Sequence, residues 1–200
     1  MKAYETALLE HKSALDIPVT EVVIFKLLND RTDETTVSIE RDFVANSIKA
    51  EGVKRISWGY SVDDPRTVIL MFDWRKIQDH WAFWQTDYFP PVLGCIERLF
   101  EPGRPLVRHY EFDPVGMLDQ EYVRVLVWDE QGGSLNSSAD VMEGVGGNSS
   151  IRKGGFAVDL DEMTWFCALL GYESEETASK DPVTFKGETH VVKLKFFQPE

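Results

Sequence analysis

The chain has no surplus of positive charge: 21 Lys and Arg stand against 34 Asp and Glu, a formal net charge of −13. Nucleic acid binds through Lys and Arg that release counterions, and anionic membranes attract the same residues, so neither partner is expected. Cysteine is scarce too, with Cys95 and Cys167 each in apolar company, which reads as two buried free thiols of an intracellular protein. The four histidines, His11, His80, His109 and His190, show no HxxxH or HxH spacing, and no CxxC occurs. No metal and no cofactor are therefore expected. No stretch approaches 18 apolar residues and Met1–Glu5 begins no apolar leader, so a soluble, cytoplasmic protein is expected. Also missing are GxGxxG, GxxxxGKS/T, GxSxG and HExxH, which leaves nucleotide, phosphate, serine-hydrolase and zincin chemistry without a warrant. Gly144-Val145-Gly146-Gly147-Asn148 follows no strand and reads as a flexible connection.

What is present is a globular composition rich in rings. The 200 residues are 43% hydrophobic and 28% charged, with 14 Gly and 9 Pro, so disorder and low complexity are excluded. Six Trp, six Tyr and 12 Phe cluster unevenly, which suggests a bulky core or a pocket for a flat apolar ligand.

The chain also repeats. Val53–Asp64 lies without gaps against Ile151–Glu162, and Val68–Phe72 against Phe166–Leu170, each pair of runs reading as a hairpin. Upstream, Glu21–Leu27 resembles Glu121–Val127; downstream, Leu106–Phe112 resembles Val191–Phe197. Each half thus offers four strands. In the first half the spacing predicts a helix from Thr32 to Ala50, a second helical segment from Trp74 interrupted at Pro90-Pro91, and a short helix over Val92–Leu99. The order is β-α-β-β-α-β, the ferredoxin-like unit. The second half has less room for helices. Gly132–Ser150 holds five Gly and five Ser around one short helix near Ala139–Glu143, and only 17 residues separate Gly171 from Thr189 where 30 separate Asp73 from Arg104. The expected fold is α+β, tandem ferredoxin-like β-α-β-β-α-β repeats of 1–115 and 116–200, the second with reduced helices. Any pocket is expected in the first half.

The segment Phe72-Asp73-Trp74 through Ile77, His80, Trp81, Phe83 and Trp84 to Tyr88-Phe89 resembles the antibiotic biosynthesis monooxygenase-like domains of the dimeric α+β barrel superfamily. There the third strand ends in a polar residue and Trp, and the next helix carries Trp, His and a further aromatic before a Tyr and a small helix. Here Trp74, His80, Phe83 and Tyr88 stand in those places. The likeness covers residues 19–112 well and 119–197 weakly. Its members include cofactor-free oxygenases of aromatic polyketides, cyclases, isomerases, decarboxylases and haem-degrading enzymes, so fold does not settle function. In such proteins two chains usually pair their sheets into a barrel. The resemblance therefore implies either an intrachain pseudo-dimer or a homodimer.

Each candidate residue has a plain alternative. His80 titrates near neutral pH and can shuttle a proton, or it packs on Trp84 at a helix surface. Trp58 and Tyr60 share a strand face opposite the bare Ser57, Gly59 and Ser61, which leaves room for a flat ligand or simply fills the core. His109, between Arg108 and Tyr110, faces either side of its strand, as a second base or as an idle edge residue. Asp73 can orient a histidine or cap the following helix. Phe72, Trp74, Trp81, Trp84 and Tyr88 line a ligand or pack a core. Taken functionally, His80, Tyr60, His109 and Asp73 are the catalytic candidates. Trp58, Trp74, Trp81, Trp84, Tyr88 and Phe72 are the substrate-binding ones.

The expected function is a cofactor-independent tailoring enzyme acting on a small aromatic or polyketide-like molecule by general acid/base proton transfer, leading to cyclisation, dehydration or isomerisation. The alternatives are a cofactor-free monooxygenase on the same substrates and a non-catalytic binding protein.

Overall fold

The computed structural model describes residues 16–103, 105–130, 137–183 and 187–199. Met1–Glu5 and the start of the Gly/Ser-rich connection at Gly132 lie outside them. The first half runs β1 (Val19–Lys26), α1 (Asp33–Ser38), β2 (Val53–Tyr60), β3 (Thr67–Trp74), α2 (Ile77–Phe83), α3 (Phe89–Leu99) and β4 (Leu106–Tyr110). The second runs β5 (Tyr122–Asp129), α4 (Ser138–Gly144), β6 (Ile151–Phe156), β7 (Trp165–Tyr172), α5 (Glu175–Lys180), β8 (Glu188–Lys193) and β9 (Lys195–Phe197). Helix α1 opens on a Thr32/Thr35 capping box and widens through a π-helical turn, Ile39–Val44, before ending at Ser47.

Two antiparallel sheets form, in the orders β4-β1-β3-β2-β9 and β6-β7-β5-β8. Their edges meet twice. At one seam Tyr110 bridges Ala157, with the Val158 N–H donating to the His109 carbonyl at 2.9 Å. At the other Ser61 bridges Val192, with the Val62 N–H donating to the Val191 carbonyl at 2.7 Å. Eight strands thereby close into a barrel within one chain. A glycine sits at each seam. A side chain on Gly59 would meet the Lys193 carbonyl oxygen at 2.1 Å, and one on Gly155 the Glu111 carbonyl oxygen at 1.9 Å.

Strand alternation then sorts the side chains into three cores. Val22, Ile24, Ile69, Met71, Tyr110, Val125, Leu169 and Val192 fill the barrel. Val23, Phe25, Phe43, Ile56, Trp58, Phe72, Trp74, Phe83 and Val92 pack the first sheet against α1, α2 and α3. A smaller set, including Leu126, Val141, Phe166, Leu170 and Val191, packs the second sheet under its short helices.

Three details differ from the sequence expectation. Trp74 is the last residue of β3 rather than a helix start, and α2 begins at Ile77. Pro90 and Pro91 occupy the first turn of α3, where a missing N–H costs nothing, so they start a helix rather than break one. The expected last strand splits: β8 stays with the second sheet, whereas β9 crosses to pair with β2, Ile56 opposite Phe197 and Trp58 opposite Lys195. Register also moves the repeat. Glu21 pairs with Phe72 and His109, and the matching set in the second half is Arg124, Leu170 and Val191, so Val191 rather than Leu194 stands where His109 does.

Candidate functional site

A cavity of about 220 Å³ lies between the first sheet and its helices. Its walls are apolar rings, among them Phe25, Phe43, Phe72, Phe83 and Phe89, with Trp74 and Trp84 beside Glu21 and His80. Glu21 is an acid in an otherwise apolar strand. Because β1 alternates, Glu21 shares the helix-facing side with Val19, Val23 and Phe25, and it is 5% exposed. The Trp74 Nε1–H donates to Glu21 Oε2 at 2.8 Å, which leaves Oε1 for a ligand.

His80 projects from α2 onto the same wall, stacked on Trp74 with ring centroids 5.1 Å apart. With Trp84, His109 and Asp159 it forms a chain of four groups. The Trp84 Nε1–H donates to His80 Nε2 at 3.0 Å, His80 Nδ1 lies 2.8 Å from His109 Nε2, and His109 Nδ1 lies 2.9 Å from Asp159 Oδ1. Asp159 also accepts the His109 backbone N–H at 2.6 Å. It reaches the site because the segment after β6 joins β4 at the barrel seam. An indole N–H can only donate, so the network assigns every proton in the neutral chain. His80 accepts at Nε2 and donates from Nδ1; His109 accepts at Nε2 and donates from Nδ1 to the carboxylate.

Burial sets the titration. It raises the Glu21 carboxyl above its ordinary value, an effect partly offset by His109 and by the Trp74 N–H. It drives His80 well below 6.5, and neighbouring His109 pushes the same way, so His80 is neutral at neutral pH. Burial alone would lower His109 as well, but the charge and hydrogen bond of Asp159, with Glu21 adding, outweigh it and His109 lies above 6.5.

Glu21, His80 and His109 also bring three ligand-type atoms within 4.8 Å of one another. The donor set fits a metal poorly as arranged. At 2.8 Å the two imidazole nitrogens share a proton, and Trp84 holds His80 Nε2 as an acceptor, whereas a metal on Nδ1 would require an N–H there.

The candidates named from sequence divide. His80, Trp74, Trp84 and Phe72 line the cavity, and His109 faces the helix layer directly behind His80. Asp73 points to the other face of β3. There it accepts from the Thr20 hydroxyl at 2.7 Å and the Met117 N–H at 2.9 Å and pairs with Arg55, so it orients no histidine. It caps no helix either, since Lys76 precedes α2. Tyr60 lies apart, its hydroxyl 3.0 Å from Thr36 Oγ1, and Trp58 is packed in the core. Trp81 is half-buried against the core without lining the cavity, and Tyr88 is exposed with Lys49 over its ring. The bare positions line no part of this cavity: Gly59 and Ser61 border a separate hollow together with Trp58 and Tyr60, and Ser57 is buried. Glu21 and Asp159 were not among the candidates. A lone acid amid Val22, Val23 and Ile24 is the signal by which Glu21 could have been found; no local signal marks Asp159.

No protein-family model matches the sequence, and no curated protein does. Solved structures do match. An anthrone oxidase-like protein aligns at TM-score 0.62 and 14% identity over 92% of this chain and 94% of its own. A candidate monooxygenase of Fusobacterium nucleatum aligns at 0.60 and 10%, covering 91% and 94%. One of Lactobacillus acidophilus aligns at 0.57 and 11%, covering 91% and 96%. At these identities the likeness is one of fold. It runs across both halves, and the fold is the ferredoxin-like α+β barrel that these structures share with this chain.

Proposed function

From this fold and cavity we propose that the protein is an enzyme of small-molecule biosynthesis that moves a proton on an aromatic or polyketide-like substrate, with its own side chains as acid and base. The observation that carries this reading is the pairing of a buried carboxyl, Glu21, with the His80–His109–Asp159 chain on the polar wall of an otherwise apolar cavity. A carboxyl raised by burial toward neutral pH is suited to take a proton and return it. Neutral His80, its Nδ1 3.6 Å from Glu21 Oε2, holds the wall in one hydrogen-bonded arrangement. Size restricts the ligand. A cavity of about 150 Å³ holds benzene and pockets for drug-sized molecules begin near 300 Å³, so about 220 Å³ suits one or two rings of a substrate.

In this scheme Glu21 Oε1 removes a proton from carbon or a phenol and the aromatic walls exclude water; the resulting anion cyclises and takes the proton back, expels hydroxide that leaves with the Glu21 proton as water, or is reprotonated at another atom. A second reading, in which the anion reacts with O₂, is favoured by the monooxygenase names of the structural neighbours. The test is Glu21→Gln, screened for ligands by native mass spectrometry beside the wild type. Turnover should fall at least 100-fold with binding kept, within the ordinary range for losing a general base. A variant as active as the wild type would remove Glu21 from the chemistry. A wild type that binds ring compounds without converting any would leave a binding protein.

A further inference from the structure

A second hollow, of about 400 Å³ and sharing no lining residue with the cavity, opens where β2 ends against β8 and β9. Three cations line it: Arg31, Lys193 and Lys195. Each sits on an aromatic ring. Arg31 lies 4.4 Å above the Tyr60 ring, Lys193 5.5 Å from that of Tyr122, and Lys195 5.5 Å from that of Trp58. A ring face holds a cation in place without neutralising it. Arg31 has no carboxylate partner among the described residues. The partners of the lysines, Glu121 at 3.1 Å and Glu40 at 2.7 Å, make solvent-exposed pairs of the weak kind. Glu175 is the one acid on the lining, and with the lysines shared with Glu121 and Glu40, Arg31 is the lining cation without an acidic partner among the described residues. At physiological salt, charges beyond about 8 Å are largely screened, and the local cations govern an arriving ion.

We propose that this hollow binds the oxyanion head of a small molecule, a phosphate group, held by Arg31 with the two lysines turning to it from their exposed pairs. Arg31 offers a planar fork for two oxygens, and the lysines supply point charges opposite it. The Trp58 and Tyr60 rings on the same lining offer an ester apolar contact that the free ion lacks.

The test is calorimetric titration of the full chain with inorganic phosphate and with phenyl phosphate, in wild type, Arg31→Ala, Lys195→Ala and Glu21→Gln. Both probes should bind, phenyl phosphate the more tightly. Arg31→Ala and Lys195→Ala should each weaken binding at least tenfold, with far-ultraviolet circular dichroism unchanged. Glu21→Gln should leave it unaltered, which keeps this site distinct from the proton-transfer cavity. Binding of inorganic phosphate alone, with no gain for the ester, would reduce the site to one for free phosphate and overturn the ester. No saturable binding, or wild-type affinity in both cation variants, would overturn the proposal.

Discussion

His80 Nδ1 and His109 Nε2 lie 2.8 Å apart, close enough that one hydrogen, and no more than one, fits between them. In the neutral chain it belongs to His80, because Trp84 already donates to the other nitrogen of that ring. Protonating His109 places a hydrogen on its Nε2. His80 must then accept at Nδ1, carry its own proton at Nε2 and lose the indole bond. Charge on His109 and the Trp84 contact therefore exclude one another, and Trp84 forms part of the cavity wall.

Trp84→Phe should uncouple the two. The ring remains but the N–H is gone, so His80 is free to carry its proton on Nε2 and accept from His109. The His109 titration, followed by NMR of the imidazole carbons, should move to higher pH than in the wild type. An unchanged titration would mean that the indole does not set the direction of the chain.

Much of this was legible in the sequence, and what was not has a physical cause. The hairpin Val53–Asp64 and its copy at Ile151–Glu162 show the duplication because alternation and an acidic turn survive divergence. Trp74 and His80 stand out through the family resemblance of the Phe72–Phe89 segment and Trp84 through helical spacing, which also marked Trp81, a residue that does not line the cavity. Asp73 went astray by parity: a one-residue step along β3 moves a side chain from the helix layer to the barrel. Asp159 lies 50 residues from His109 and reaches it only through the seam, a contact that no local pattern encodes. The first half alone therefore lacks one member of the chain, although it holds the whole cavity lining.

Asp159→Asn retains the shape and removes the charge. Without that charge, burial dominates at His109, and its pKa should fall from above the ordinary imidazole value to below it. Turnover should drop and its pH profile change shape, whereas a purely structural role would alter stability and leave the profile in place. Asp73→Asn, on the other face of the sheet, serves as the control and should leave the His109 titration unmoved.

Glu21 makes a prediction about stability against pH. Its folded pKa is above the unfolded value of 4.5, so the folded state holds the proton more tightly. Stability then falls as pH rises from about 4.5 through the raised value, by at most about 1.4 kcal/mol per pH unit for one proton. Gln carries no such proton, and its carbonyl can still accept from Trp74. The melting temperature of Glu21→Gln relative to wild type should be near parity at pH 4 and rise above it by pH 8. A constant offset across that range would mean that Glu21 titrates normally in the fold.

The barrel seam can be tested at Gly59. A methyl group there would stand 2.1 Å from the Lys193 carbonyl oxygen, a backbone atom that cannot rotate away, and 2.8 Å from a Val192 methyl. Relief requires β2 and the β8–β9 junction to separate at the point where the two sheets join, next to the Ser61–Val192 bridge. Overpacking of this kind typically costs about 1–3 kcal/mol. Gly59→Ala should therefore lower the unfolding free energy by that amount and the denaturant midpoint with it, and Gly155→Ala, facing Glu111 across the opposite seam, should do the same. Gly94, on α3 with nothing within 4 Å of an added methyl, is the control: Gly94→Ala should be neutral or stabilising, since alanine is the better helix former. If Gly59→Ala and Gly155→Ala both melt like the wild type, the sheets do not close against each other within the chain.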